Sequence, residues 1–324
     1  MTPVTPLKRT ADAVTVRVPA KINLQLSVGA LRADGYHDLI TVFHAVSLFD
    51  EVTVSAAGRT SVSVSGEGGP AVPLGPANLA VRAAMALARA TGRGRGAGSV
   101  RIEIRKRIPV AAGLAGGSAD AAAALVGCNE LWKAGLSTAE LSEIGSQIGS
   151  DVPFPLLGGT AIGHGRGERL TRALASGSYH WVLAFGATGL ATPDVYEACD
   201  RLRAARRAED EPDRVPAPEL DTALMAALRS GDPAAVGPLL SNDLQPAALS
   251  LQPVLRRALA AGREHGALGA IVSGSGPTCA FLAADADAAS ELAVGVTGAG
   301  VCRAVVQVTG PVPGASVVST GVPA

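Results

Sequence analysis

The least ordinary stretch of the chain is Pro109-Val110-Ala111-Ala112-Gly113-Leu114-Ala115-Gly116-Gly117-Ser118, which runs into an alanine-rich segment starting at Ala119. Glycines at the mouth of a helix let backbone N–H groups converge, and the helix start adds about half a unit of positive charge. Such a loop suits a phosphate. It lacks the Gly-Lys-Ser/Thr ending of a Walker A loop, and a turn needed for tight helix packing would use the same glycines, so the loop alone leaves both readings open. Lys21 and Asn23 stand two residues apart in an alternating run, which puts both side chains on one strand face with Cα atoms about 6.6–6.8 Å apart. A cation and an amide so placed can steady an anion, or can simply face water. Asp151, in Gly149-Ser150-Asp151-Val152-Pro153, can accept a proton or hydrogen-bond its own turn. Tyr36-His37 follow the turn signal Asp34-Gly35, and Ser273-Gly274-Ser275-Gly276-Pro277 is either a second backbone nest for an anion or a tight turn. Two more glycine-rich tracts, 92–98 and 163–167, open no helix and read as loops.

The elements that must carry these residues are legible in outline. Between Val14 and Val28 the even positions are apolar, with Lys21, Asn23, Gln25 and Ser27 on the other face. Further strands are expected at 39–48, 51–55, 61–65 and 100–104, with a helix over 77–90. The loop ending at Ser118 leads into a helix reaching about Trp132. Ser137 and Glu140 form a capping box for the next one. A short strand near 160–162 and a polar turn at 163–168 close this half. Beyond it the expectations are a strand at 181–185 and helices at 193–206, 220–229 and 254–264. Residues 201–214 read as a mixed-charge linker. The last block is strand 270–273, turn, strand 278–283, helix 288–294 and strand 302–308. That order suits an antiparallel sheet with helices on one face. The class is α+β, with two domains divided near Leu170, 1–170 and 171–324.

Composition narrows the function. With 324 residues, 28 Lys plus Arg against 28 Asp plus Glu, and a formal net charge of zero, the chain lacks the field that holds nucleic acid or an anionic membrane non-specifically. At 48% hydrophobic a substantial core is available and disorder is excluded, while 3% aromatics leave that core to Ala, Val, Leu and Ile. The four cysteines are scattered without a C-x-x-C pair and the five histidines are equally dispersed, so neither a disulfide framework nor a zinc site is indicated. No apolar leader stands in residues 1–13 and no run of about 18 apolar residues occurs. The expectation is a soluble, cytoplasmic protein.

Taken together and in order, Pro19-Ala20-Lys21-Ile22-Asn23-Leu24, Asp34-Gly35-Tyr36-His37, the loop from Pro109 to Ser118, Gly149 to Pro153 and Ser273 to Pro277 resemble the GHMP kinases. The resemblance runs from about Val16 to Val308. It implies a ribosomal S5 domain 2-like N-terminal half and a ferredoxin-like C-terminal half with the site between them. It also implies ATP as phosphoryl donor, with Mg²⁺. The loop and the late turn mark the superfamily; the first two motifs and Asp-Val-Pro resemble a branch whose acceptor is the C2 hydroxyl of a methylerythritol unit carrying cytidine diphosphate.

By that resemblance Asp151 would be the base or orienter, and Lys21 would hold Asp151 and steady the moving phosphoryl. Residues Pro109, Val110, Ala111, Ala112, Gly113, Leu114, Ala115, Gly116, Gly117, Ser118 and Ala119 would bind ATP, with Ser118 near the metal. Asn78, Leu79 and Lys106 match adenine-pocket positions. Asn23 would lie near the reacting end, His37 would bond cytosine, and Tyr36 and Tyr196, the latter after Thr192-Pro193, would stack on its faces. Partners are then a small molecule, no nucleic acid and no membrane, in a monomer or weak homodimer. The loop departs from the commonest family form, Gly-Leu-Gly-Gly-Gly-Ser-Ser-Asn, at Ala115, Ala119 and Asp120. Ala115 and Asp120 either weaken ATP binding slightly or are compensated by neighbours. The alternatives are another member of the superfamily acting on homoserine, mevalonate or a sugar, and a non-catalytic member that only binds ligand. Tyr36, His37 and Tyr196 argue against the first, and the pair Lys21 and Asp151 against the second.

Overall fold

A computed structural model of the chain describes residues 13–94, 96–209 and 215–321. Residues 1–12, where no apolar leader is expected, and residues 210–214 of the expected linker lie outside them. The chain opens with a long hairpin, β1 (Ala13–Leu31) and β2 (His37–Ala56). It turns where Asp34-Gly35 indicated: Gly35 takes φ +80° and Arg32 N–H donates to the Tyr36 carbonyl at 2.7 Å. The sequence suggested two strands here, at 39–48 and 51–55. They are one strand, because the ladder absorbs the break as a bulge: Pro19 pairs with Phe49 and Ala20 with Val46.

Next come β3 (Ser61–Gly66), α1 (Leu79–Ala90) and β4 (Val100–Lys106). In β4 alternate residues Val100, Ile102, Ile104 and Lys106 are buried and the others exposed. The helices α2 (Gly116–Leu131), α3 (Thr138–Ser146) and α4 (Pro153–Leu157) follow, α3 with the capping box expected of Ser137 and Glu140. The half ends in β5 (Thr160–Gly165) and β6 (Arg169–Arg172). The strands form one sheet in the order β3-β4-β2-β1, with β5 continuing the pairing of β2, and β6 beyond it. Small side chains let α2 sit close to this sheet: Ala119 and Ala121 to Ala124 are all fully buried. At Gly127 a Cβ would already lie 2.8 Å from Val54 Cγ2.

The remaining elements are β7 (Tyr179–Phe185), α5 (Thr192–Glu209), α6 (Thr222–Ser230), α7 (Pro233–Val236), β8 (Ser241–Asn242), α8 (Gln245–Leu251) and α9 (Val254–Glu264). They end with β9 (Gly269–Val272), β10 (Cys279–Ala283), α10 (Ala286–Gly298), β11 (Ala304–Gly310) and β12 (Ser316–Gly321). The second sheet is antiparallel in the order β11-β7-β10-β9, as the α+β reading required. The stretch from 201 to 209 is helical, not linker: α5 simply continues.

Two connections tie the halves together. β8 adds to β1 in parallel at Gln25 and Leu26, and β12 pairs antiparallel with β1 from Ala13 to Arg17. A cut at Leu170 would also fall inside β6, so the physical break in pairing lies in the loop between β6 and β7. No helix among the described residues is long and apolar enough to cross a membrane.

Candidate active site

A cavity of about 880 Å³ opens between the halves. On one wall, the period of two in β1 brings Lys21 and Asn23 to the same side. Both are buried. Lys21 Nζ donates to Asn23 Oδ1 at 2.7 Å and to the Gly113 carbonyl at 2.8 Å, while Asn23 Nδ2 donates to Thr41 Oγ1 at 2.7 Å. Burial pulls the Lys21 ammonium below its ordinary pKa, and the negative charge of Asp151 works against that shift. Asp151 lines the same cavity but makes no ion pair with Lys21 within 4.0 Å in this structure; it acts on the lysine through space.

The phosphate-like loop forms the adjoining wall. Its residues Gly116, Gly117 and Ser118 are the first three of α2, and the preceding Ala115 offers no side-chain cap. Their N–H groups are therefore the helix's unpaired donors, and all three residues face the cavity. Ala115 takes φ +56°, a left-handed conformation that costs an alanine about 1 kcal/mol. At Gly117 a Cβ would meet nothing closer than Leu79 Cδ1 at 3.5 Å. The space beside Gly117 is open on the protein side. At Gly113 the constraint is internal: a Cβ would lie 2.1 Å from the Ser273 carbonyl oxygen.

The Ser273–Pro277 turn closes over this loop. Ser273 Oγ donates to the Gly113 carbonyl at 3.1 Å, and Thr278 N–H to the Ala112 carbonyl at 3.3 Å. Gly274 passes so near Lys21 that a Cβ would sit 2.9 Å from Nζ. Thr192, at the start of α5, shares a hydrogen bond of 3.0 Å with Ser275 Oγ.

Some expected ATP-loop residues turn elsewhere. Leu114 and Ala119 are buried in the main core and do not line the cavity. Ala119 N–H is already taken by the Ala115 carbonyl at 2.9 Å. Asn78 lines the cavity, yet its side chain caps α1, accepting from Ala80 and Val81 N–H. Leu79 follows it into the same wall, beside Pro109, Val110 and Ala111. Lys106 reaches the cavity floor with its charge committed: Nζ lies 2.5 Å from Asp50 Oδ2 and 2.8 Å from Asp120 Oδ2. Burial works against the Lys106 ammonium, but Asp120 and Asp50 together raise its pKa. Burial pushes the Asp120 carboxyl up to about 8, Lys106 pulling it back and Asp50 adding to the rise. This triad answers the extra carboxylate that the loop's departure introduced. Asp50 also accepts from Arg107 and Ile108 N–H at 2.6 and 2.9 Å, fixing the chain just before the loop.

Aromatic groups also line the cavity. Tyr196 tilts against the His37 ring at a centroid distance of 5.1 Å, and the Arg166 guanidinium lies over the half-exposed Tyr36 ring at 4.8 Å. His37 Nε2 is 3.0 and 3.2 Å from the two Asp200 oxygens. Burial, with the charge of Asp151, raises the Tyr196 hydroxyl well above its ordinary pKa. Thr41, Asp50, Arg166 and Asp200 were not singled out from sequence. Only Asp200 left a local signal, its four-residue spacing from Tyr196 on a helix.

This arrangement of helix start, buried lysine and crossed turn defines a small-molecule phosphotransferase of the GHMP type. The model of the GHMP kinases N terminal domain matches residues 78–159 and that of the GHMP kinases C terminal domain matches 224–301. The chain is 56% identical over 309 residues to a 4-diphosphocytidyl-2-C-methyl-D-erythritol kinase of Mycolicibacterium smegmatis, covering 95% of this chain and 94% of that one. It is 54% identical to the kinase of the same name from Thermobifida fusca, covering 94% and 98%. A crystal structure of 4-(cytidine 5'-diphospho)-2C-methyl-D-erythritol kinase superposes with TM-score 0.70 at 34% identity, over 91% of this chain and 98% of that one. A homoserine kinase from Cytophaga hutchinsonii superposes equally well, TM-score 0.70, at 17% identity, and shares the fold alone. The chain belongs to the 4-diphosphocytidyl-2-C-methyl-D-erythritol kinase family of the GHMP kinases.

Proposed function

We propose that the chain transfers the γ-phosphoryl group of ATP to the C2 hydroxyl of 4-diphosphocytidyl-2-C-methyl-D-erythritol, giving the 2-phosphate and ADP, a step of non-mevalonate isoprenoid precursor synthesis. The observation that carries this reading is one cavity lined both by the open N-terminus of α2 with Lys21 and by Tyr36, His37 and Tyr196. Phosphoryl transfer asks a protein mainly for positioning and charge neutralisation. The N–H groups of Gly116 to Ser118 bind the donor's phosphates. Lys21, held by Asn23 and Gly113, presents positive charge where the phosphoryl moves. Asp151 orients the acceptor hydroxyl and takes its proton. Tyr36 and Tyr196 hold the base, and His37 bonds its edge.

The residues fit a magnesium ion carried by the nucleotide. Ser118 offers a hydroxyl at the start of α2, and among the described residues no group of three His, Cys, Asp or Glu is placed to hold a metal. Mg²⁺ is commonly held by one or two protein groups plus substrate phosphates. Bound so, it would neutralise phosphate charge. With zero net charge and a pocket built for one small acceptor, the chain is read as acting in the cytoplasm without nucleic acid or membrane, as a monomer or weak homodimer. A coupled ADP-release assay with cytidyl-methylerythritol, homoserine, mevalonate and galactose tests the reading. Turnover of the first alone is expected; preference for any of the others would overturn it.

A further inference from the structure

His37 is an acceptor and a donor at once, and which nitrogen plays which part decides what base it can recognise. The structure leaves one nitrogen no choice. Both carboxylate oxygens of Asp200 lie within 3.2 Å of Nε2, and an ionised carboxylate can only accept. The proton therefore belongs on Nε2. In the neutral ring Nδ1 is then a bare lone pair, and it is the ring's remaining edge. Asp200 is well placed for this. It sits one helical turn beyond Tyr196 on α5, lines the cavity with His37 and Tyr196, and its side chain is 35% exposed against 5% for His37. The helix that supplies the stacking ring thus also sets the histidine's hydrogen-bonding sense.

We infer that Asp200 is a specificity-determining positioning residue: by holding the His37 proton on Nε2 it turns Nδ1 into an acceptor for an exocyclic amine, and so selects an amino-pyrimidine over its oxo counterpart. This rests on the proposed function, in which His37 meets the base of the acceptor. Cytosine presents an amine at the position where uracil presents a carbonyl; a lone pair on Nδ1 bonds the first and repels the second. Sequence alone could not reveal the pair, since 163 residues separate its members.

The test compares the cytidyl and uridyl acceptors in wild type, Asp200→Asn and Asp200→Glu, and reads the His37 tautomer from long-range ¹H–¹⁵N spectra of labelled free enzyme. Asparagine can offer an N–H to Nε2 and so lets the proton move to Nδ1. The cytidyl-over-uridyl ratio of kcat/KM should fall roughly ten- to hundredfold, the scale of losing one hydrogen bond and gaining an unpaired one. Asp200→Glu, which keeps an acceptor on the same helix face, should retain most of the ratio. In wild type the His37 proton should be on Nε2. An equal loss for both acceptors in Asp200→Asn would reduce Asp200 to a structural role and overturn the inference, as would a wild-type proton on Nδ1. Wild type that phosphorylates neither acceptor would instead sink the proposed function, with the tautomer still deciding whether Asp200 governs His37.

Discussion

Lys21 donates from Nζ to the main-chain carbonyl of Gly113 at 2.8 Å, across 92 residues of sequence. The same carbonyl accepts from Ser273 Oγ at 3.1 Å. One oxygen thus ties the strand that carries the lysine, the loop that opens α2 and the turn of the second half. The lysine is anchored to the phosphate loop itself, and its distance from anything bound there is set by the fold, not by a flexible side chain.

Asp151 is the test of the chemistry. Asp151→Asn keeps the shape but removes the charge and the proton acceptor, so kcat should fall about 10²–10⁴-fold. ATP affinity should barely change, because the donor rests on the loop. Steady-state kinetics with both substrates varied checks this; more than half of wild-type kcat would rule the residue out as base or orienter.

The glycines separate packing from binding. Gly117→Val has room on the protein side, the nearest atom to its Cβ being 3.5 Å away, so the melting temperature should hold while the KM for ATP rises sharply. Gly113→Ala should instead lower the melting temperature, since its Cβ meets the Ser273 carbonyl at 2.1 Å in a left-handed backbone. Thermal melts and calorimetry with ATP, run on both variants, distinguish the two kinds of glycine. Unchanged ATP binding by Gly117→Val would exclude this loop as the cradle.

The buried triad should respond to both charge and pH. Lys106→Met removes the shared partner of the buried Asp50 and Asp120 carboxyls and should cost about 3–5 kcal/mol, the usual penalty for breaking a buried pair. Asp120→Asn should be tolerated. The Asp120 carboxyl, at about 8 when folded against 3.8 in model compounds, binds its proton more tightly in the native state. Its contribution to stability is thus present at low pH and is lost as pH rises from about 4 to about 8. The Asn variant has no such proton to lose, so its stability relative to wild type should grow across that window. Denaturant melts at several pH values would show this, and parallel curves would refute it.

The aromatic groups predict which part of the acceptor matters. Stacking a base on an aromatic ring contributes about 1–3 kcal/mol, so Tyr196→Ala should weaken acceptor binding about five- to 150-fold. Methylerythritol 4-phosphate, which lacks the nucleotide, should be phosphorylated very poorly, because remote binding energy places the reacting hydroxyl. Equal kcat/KM for the full and truncated acceptors would mean that no clamp exists.

What the sequence determined by itself was local. Alternation placed Lys21 and Asn23 on one face of β1, and buried Val100, Ile102 and Ile104 together in β4. The glycine run announced that a helix follows the loop, which the fold begins two residues early at Gly116, and Ser137 with Glu140 announced the next cap. These follow from periods and short-range hydrogen bonds that any window of ten residues contains. Family resemblance then gathered the scattered motifs into one site. The tertiary structure alone decided that Lys106 would spend its charge on Asp50 and Asp120, that Gly113 would be clasped by Lys21 and Ser273, and that Asp200 would command His37. It also carried β2 through its bulge as one strand and returned β12 to β1. Each of these joins groups separated in the chain, and a charge or a hydrogen-bonding edge carries no local mark of the partner that folding will bring within 3 Å.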